Sequence, residues 1–179
     1  MRDIIYDVAV SLDGYIAAPG GDASSFPQTG THAEEYAKRL QTYDTVIMGR
    51  KTYEYGYQFG LPPGARAYPH MDHHIFSKSL ELPDGPDRSD VQVVRDAWLN
   101  KVDALRAADG GPIYLCGGGM LAGYLLHHAR ITHLRLKIAP LILGGGIQLF
   151  ENTARPGPAR LVSSHSHKNG VLYAQYRLG

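Results

Sequence analysis

The chain has 179 residues, of which 44% are hydrophobic and 20% charged, and its formal net charge at neutral pH is +1. This composition is typical of one globular domain, here expected over residues 1–179, and excludes the disordered and fibrous classes. The balanced charge, without any run of lysine and arginine, argues against nucleic acid as a partner.

Strands and helices are predicted to alternate along most of the chain. Runs of β-branched residues predict the strands, and apolar residues at helical spacing predict the helices. The predicted strands are 4–12, 44–49, 73–77, 91–94 and 112–116, the helices are 31–43, 50–60, 97–108 and 119–129, and a hairpin lies between 159 and 178. This order predicts an α/β fold with a largely parallel central sheet and an antiparallel C-terminal hairpin.

The N-terminal residues and the single cysteine indicate a cellular compartment. Asp3 and Asp7 interrupt the apolar core that a signal peptide would need, and no apolar run approaches the length of a membrane span. Cys116 has no partner for an internal disulfide and suits a reducing environment. We therefore expect a soluble, cytoplasmic protein with no membrane partner.

Three consecutive glycines, Gly117 to Gly119, stand where a predicted strand becomes a helix. Glycines at such a junction leave the backbone N–H groups of a helix N-terminus open to an anion. Gly117, Gly119 and Ala122 also satisfy the G-x-G-x-x-G/A spacing of dinucleotide sites. The acidic residue that binds the ribose in that motif is missing, because residues 120–150 contain no Asp or Glu. A purely structural tight turn is the alternative.

A second junction of the same kind follows the predicted strand 44–49. Gly49 precedes Arg50, Lys51 and Thr52, so that two cations and a hydroxyl lie at the start of a helix. The segment lacks the first glycine of a P-loop and is not one. A solvated basic helix start is the alternative, but the helix dipole disfavours cations at that end, which favours an anionic ligand.

Five segments in order resemble the dihydrofolate reductase superfamily, and more closely its branch related to the C-terminal reductase domain of the riboflavin-synthesis protein RibD. The segments are AVSLDGYIA (9–17), VIMGRKTYE (46–54), HIFSKSLE (74–81), IYLCGGGMLAGYLL (113–126) and APLILGGGIQLF (139–150). The resemblance implies a three-layer dihydrofolate reductase-like fold, NADPH as cofactor, hydride transfer from the nicotinamide, and a homodimer.

The resemblance also implies a set of cofactor-binding residues. Ala9 and Ile16 would flank the nicotinamide; Gly49, Arg50, Lys51 and Thr52 would hold phosphates; Ser77 and Lys78 would contact the adenosine ribose and its 2′-phosphate; Gly117, Gly118, Gly119, Met120 and Leu121 would meet the pyrophosphate from the other side. A 2′-phosphate is best matched by cations, so the resemblance favours NADPH over NADH.

The predicted substrate is a pyrimidine- or pterin-like heterocycle, as for 5-amino-6-(5-phosphoribosylamino)uracil reductase. Asp13 is the predicted catalytic residue, because alternation along the first strand places it on the same face as Ala9; a simple Asp-Gly turn is the alternative. Dihydrofolate reductases bind the pterin through an acidic residue on the first helix, where Glu34 or Glu35 lies here. Dihydrofolate reduction and a non-catalytic NADP-binding module remain the other candidate functions.

Clustered histidines and tyrosines give weaker predictions. Histidines group at 70–74, 127–128 and 165–167, but no cysteine and no carboxylate at a fixed spacing completes a metal site, so none is expected. Aromatic residues at every second position from Tyr53 to Phe59 are expected in the core or at a subunit interface; an aromatic wall beside a planar substrate is the alternative.

Overall fold

The chain is built around an eight-stranded sheet with the strand order β5-β4-β3-β6-β1-β7-β10-β9 in a computed structural model that describes residues 1–83, 91–152 and 156–179. In chain order the elements are β1 (Ile4–Val10), β2 (Tyr15–Ala17), α1 (Thr31–Leu40), β3 (Thr45–Gly49), α2 (Arg50–Tyr55), β4 (Asp72–Phe76), β5 (Val91–Val94), α3 (Trp98–Ala107), β6 (Ile113–Gly117), α4 (Gly119–His127), β7 (His133–Ile138), β8 (Ile147–Gln148), β9 (Ala159–Ser166) and β10 (Leu172–Leu178).

Six neighbouring strands, from β5 to β7, are parallel, whereas β10 pairs antiparallel with β7, and β9 pairs antiparallel with β10. The predicted parallel sheet and its antiparallel C-terminal hairpin are thus confirmed. Strand β1 lies inside the sheet, between β6 and β7. Both of its faces are covered as well, which explains its long apolar run.

Helices cover both faces of the sheet and create two apolar cores. One core joins β1, β3 and β6 to α3 and α4 through side chains such as Val102, Leu121 and Leu125. The other lies beneath α1 and α2 and contains Tyr43 and Tyr53. The result is the predicted three-layer arrangement, in which loops that follow parallel strands collect at one edge of the sheet.

The structure departs from the sequence predictions at two junctions. Strand β1 ends at Val10 because the Ser11 N–H bonds the Tyr15 carbonyl, which turns the chain into the short strand β2. Strand β2 pairs with β8 in a separate two-stranded sheet that was not predicted. The predicted helix 50–60 divides into α2 and a 3₁₀ turn at Gly56–Phe59. In the part of the chain that is described, no helix has the length and apolar character needed to cross a bilayer.

Candidate functional site

The two predicted glycine junctions meet at the edge where the parallel strands end. Strands β3 and β6 are neighbours, so Gly49 lies beside the peptide that joins Gly117 to Gly118, which is cis. A Cβ atom on Gly49 would lie 3.8 Å from the Gly118 nitrogen and 3.9 Å from the Gly117 oxygen. The space beside Gly49 is therefore lined mainly by main-chain groups, with the Leu121 Cβ 4.0 Å from the same position.

Thr52 faces this space from the first turn of α2. Its Oγ1 lies 3.2 Å from the position that a Cβ on Gly118 would occupy and 3.7 Å from that on Gly117. The start of α4, which has Gly118 as its N-cap, no side-chain cap and the positive end of the helix dipole, lies at the same junction. The structure thus brings Gly49, Thr52, Gly117 and Gly118 together in one glycine-lined cradle suited to an anion.

The remaining residues of the predicted glycine motif have different surroundings. A Cβ on Gly119 would lie 2.3 Å from the Gln148 oxygen, so the close approach of the end of β8 requires glycine there. Leu121 is buried in the core between the sheet and α4. Met120 is 66% exposed and extends from the helix start into solvent.

The predicted cations lie around the cradle edge and are mostly exposed. The Arg50 guanidinium is 3.7 Å from the Glu54 carboxylate, one helical turn away. Lys51 and Lys78 are exposed, Lys51 on α2 and Lys78 on the loop that follows β4. Because β4 neighbours β3, this loop lies on the same edge of the sheet as Gly49.

Ser77 has a local structural role in the same loop. Its buried Oγ accepts hydrogen bonds from the N–H groups of Ser79 and Leu80 and so closes the turn after β4. Arg95, which directly follows β5, donates to the carbonyls of Lys78 and Leu80. The sequence analysis did not identify Arg95 as a candidate cation at this edge. Arg95 directly follows β5, just as Arg50 directly follows β3.

A cavity of about 130 Å³ opens beside Ala9, at the end of the central strand. It is bounded by the segment before α1, by the inner face of α1, by β7 and by the turn before β10. The lining residues are Ala9, Phe26, Pro27, Gln28, His32, Ala33, Tyr36, Lys137, Ala139 and Val171. Ile16, the second predicted nicotinamide contact, lies on β2 and does not line it.

Lys137 is the charged side chain in the cavity wall, and sequence reasoning did not single it out. It is paired in register with Ala9, and its Nζ lies 3.0 Å from the centroid of the Tyr36 ring. Burial lowers the pKa of Lys137 to about 8; Asp7 opposes this shift and Arg39 adds to it. In the sequence, Lys137 stands at a polar position of a segment in which apolar and polar residues alternate. Such alternation alone predicts that the polar side chains face solvent, so it did not indicate that Lys137 lines a cavity.

A buried ionic network lies beneath the cavity. The Arg39 guanidinium donates two hydrogen bonds, of 2.6 and 2.9 Å, to the carboxylate of Asp7, which is fully buried. The Tyr43 hydroxyl donates a third, of 3.1 Å, to the same carboxylate. Asp7 thereby fixes α1, which carries part of the cavity wall, to the central strand.

Asp13, the predicted catalytic residue, is exposed and bonds a neighbouring loop. Its carboxylate accepts hydrogen bonds from the N–H groups of Leu143 and Gly144, at 3.1 and 2.7 Å, and from the Ser11 hydroxyl at 2.6 Å. The Ser11 bond, followed by those from Leu143 and Gly144, holds the pKa of Asp13 below its usual value. Since β1 ends at Val10, strand alternation does not extend to Asp13.

Tyr53, the first member of the aromatic run, belongs to the core. It is buried, and its hydroxyl donates to the Ala65 carbonyl and accepts from the Gly64 N–H. The run ends at Phe59, which is 72% exposed.

Comparisons with known proteins agree with this architecture. Residues 2–173 match the family described as the RibD C-terminal domain. The chain is 29% identical over 163 residues to the uncharacterized protein YwjB of Bacillus subtilis, with 89% of each chain covered.

Two solved structures share the fold at 16% identity. A pyrimidine reductase-like protein from Corynebacterium diphtheriae superposes with a TM-score of 0.74, covering 99% of this chain and 92% of that one. A dihydrofolate reductase from Enterococcus faecalis, complexed with NADP(H), superposes with a TM-score of 0.68 and coverage of 99% and 96%. The predicted dihydrofolate reductase-like fold is confirmed.

Proposed function

Because this chain belongs to the RibD C-terminal domain family, we propose that it is a reductase that transfers hydride from NADPH to a pyrimidine-like heterocycle. The observation that carries the proposal is the glycine-lined cradle at the sheet edge, one strand away from the cavity beside Ala9. A dinucleotide bound along this edge would have its phosphates at the cradle and its nicotinamide at the cavity mouth.

The cradle fits a pyrophosphate by its chemistry. Gly49, Gly117 and Gly118 leave main-chain groups open at the start of α4, and the Thr52 hydroxyl faces them. NADPH, when bound, supplies the hydride. The cations around the edge favour a cofactor with a 2′-phosphate; they are Arg50, Lys51, Lys78 and Arg95.

The cavity favours a pyrimidine over a folate. Among the described residues that line it, none carries a carboxylate, and the charged group is the Lys137 ammonium. On α1, Glu34 is exposed and Glu35 faces β9, so neither can bind a pterin in the cavity. We infer that the Lys137 ammonium donates a hydrogen bond to a ring carbonyl, whereas Tyr36 and Ala9 confine the ring.

Asp13 is proposed as a positioning residue. Both of its oxygens already accept main-chain hydrogen bonds, so the carboxylate holds the loop at Leu143 and Gly144 against the end of β1. We expect Asp13→Asn to raise KM for NADPH several-fold with little change in kcat, whereas the catalytic role that the sequence predicts requires a loss of kcat. Steady-state kinetics with NADPH varied separates the two roles.

The homodimer, the single-domain boundary and the role in riboflavin synthesis stay predictions.

The cofactor proposal is tested by calorimetric titration with NADPH and with a Gly49→Ala variant. A methyl at residue 49 would make only ordinary van der Waals contacts, so the protein should remain folded, but the methyl would fill the cradle. We expect Kd for NADPH to rise at least tenfold, which corresponds to about 1.4 kcal/mol. The matched control, Gly157→Ala, has open space around it and should bind as the wild type does.

A double variant, Arg50→Ala with Lys51→Ala, tests cofactor preference in the same titrations. If these cations hold a 2′-phosphate, the variant loses affinity for NADPH more than for NADH. Equal losses would contradict the NADPH assignment. Loss of NADPH absorbance with a panel of pyrimidines and dihydrofolate then separates a reductase from a non-catalytic binding module.

A further inference from the structure

Three potential metal ligands from distant parts of the chain meet at the outer edge of the C-terminal hairpin. We propose that Glu35, His165 and His167 form a binding site for a divalent metal ion of the zinc class. Glu35 lies on α1, His165 on β9, and His167 directly beyond the end of β9. This site is separate from the proposed cofactor cradle and does not depend on the reductase function.

The three ligand atoms are already arranged around one point. The Glu35 Oε2 lies 2.8 Å from the His165 Nε2 and 3.3 Å from the His167 Nε2, and all three atoms lie within 4.8 Å of one another. Zinc bonds of about 2.0–2.2 Å in a tetrahedral arrangement require ligand atoms about 3.3 Å apart. Small side-chain rotations therefore suffice to admit the ion.

His167 gives an independent indication of a ligand. Its side chain is only 10% exposed, yet its Nε2 is buried and has no hydrogen-bond partner, because its 3.3 Å approach to Glu35 lacks hydrogen-bond geometry. Buried polar atoms are nearly always satisfied. Its other nitrogen, Nδ1, lies 2.9 Å from the Thr31 hydroxyl, which fixes the ring with Nε2 directed at Glu35. Such a bond on the second nitrogen is typical of metal-binding histidines.

The Glu35 carboxylate is also held in its orientation, by Arg39 on the side away from the histidines. The Arg39 guanidinium is 3.3 Å from the Glu35 Oε1, which leaves Oε2 for the histidines. The Arg39 charge is largely balanced by its two hydrogen bonds to Asp7, so it does not strongly oppose a cation. Ligating carboxylates are commonly held in this way.

The donor set selects the kind of metal ion. Two imidazoles and one carboxylate suit zinc, whereas calcium and magnesium prefer oxygen ligands throughout. With three protein ligands the fourth position would be taken by water. The bound ion would tie the start of α1, which carries His32 of the cavity wall, to the hairpin turn. Sequence spacing missed this site because the carboxylate of Glu35 is 130 positions away from His165, the nearer of the two histidines in sequence.

The test is metal binding by the full chain after treatment with a chelator. We expect titration with Zn²⁺ to show one site per chain, Co²⁺ to give the visible absorption bands of a low-symmetry tetrahedral ion, and Zn²⁺ to raise the melting temperature. Glu35→Gln and His165→Ala should each weaken Zn²⁺ binding at least tenfold. His165 is half exposed, so the alanine variant should fold.

His127→Ala is the matched control, because His127 lies in another histidine pair on the surface and should leave binding unchanged. Absence of a stoichiometric site in the wild type would overturn the proposal. So would Zn²⁺ binding that survives in the Glu35 and His165 variants, or that is lost in the His127 variant. The titrations are run without NADPH, so that a negative result leaves the proposed reductase function untouched.

Discussion

We expect Asp7→Asn to lower the free energy of unfolding by about 3–5 kcal/mol, the cost of leaving a buried charge without its partner. The substitution keeps the shape of the side chain but removes its negative charge. Arg39, whose side chain is 15% exposed, would lose its bidentate partner, and Lys137 would lose the carboxylate that favours its protonated form. Urea-induced unfolding, followed by circular dichroism, measures the change.

Asp103→Asn is the matched control for this experiment. Asp103 accepts two hydrogen bonds from Arg130, at 2.7 and 2.9 Å, in nearly the same geometry as the Asp7 pair. Both partners are partly exposed, so the pair is screened by water and its loss should cost about 1 kcal/mol or less. If the two substitutions lowered the free energy of unfolding equally, burial of the Asp7 ion pair would not be the cause of the larger loss expected for Asp7→Asn.

Lys137→Met is expected to reduce kcat/KM for the heterocyclic substrate by about 100-fold, the usual effect of removing one preorganised hydrogen-bond donor. In the wild type, activity should fall as the pH rises through about 8, because the ammonium then loses its proton. The charged and titratable groups that face it are Asp7 on β1, Arg39 and Tyr36 on α1, and Cys116 on β6.

The stability of the Lys137→Met variant distinguishes loss of function from loss of fold. The pKa of Lys137 falls from 10.5 to about 8 on folding, so the folded protein disfavours the charge, and methionine should not destabilise it at pH 7. The unfolded chain binds more protons in this range. The wild type should therefore gain stability relative to the variant as the pH rises from about 8 to 10.5. A pH-independent difference, or unchanged kcat/KM, would contradict the role of Lys137.

The cradle could be predicted from sequence because its parts are local. Each half is a strand, a glycine and a helix start, and the parallel order of the strands places Gly49 and Gly117 on the same edge of the sheet. The resemblance to a known family then supplied the pairing of the two halves. Local patterns also indicated the terminal hairpin, whose turn consists of Lys168, Asn169 and Gly170 between the paired residues His167 and Val171.

The substrate side could not be predicted in the same way, because it depends on contacts between distant segments. The polar face of β7 is ordinary alternation in sequence, and only the packing of α1 on that face makes Lys137 part of a cavity. The sequence prediction placed Asp13 on the same face as Ala9 because it extended β1 two residues beyond Val10, where the strand ends. Glu35 faces β9 only through the rotational position of α1, which spacing in the sequence does not determine.

The central position of β1 has a consequence for how the chain acquires its structure. Strand β1 is synthesised well before its neighbours β6 and β7, and the hydrogen bond from Thr132 to Ile4 joins residues 128 positions apart. Such distant pairings close slowly, because long loops must form before any contact stabilises them. Until β7 has emerged, one side of β1 is an unpaired apolar strand edge, which is a template for association with other chains. Demand for chaperones should therefore be greatest in the interval before β7 is made.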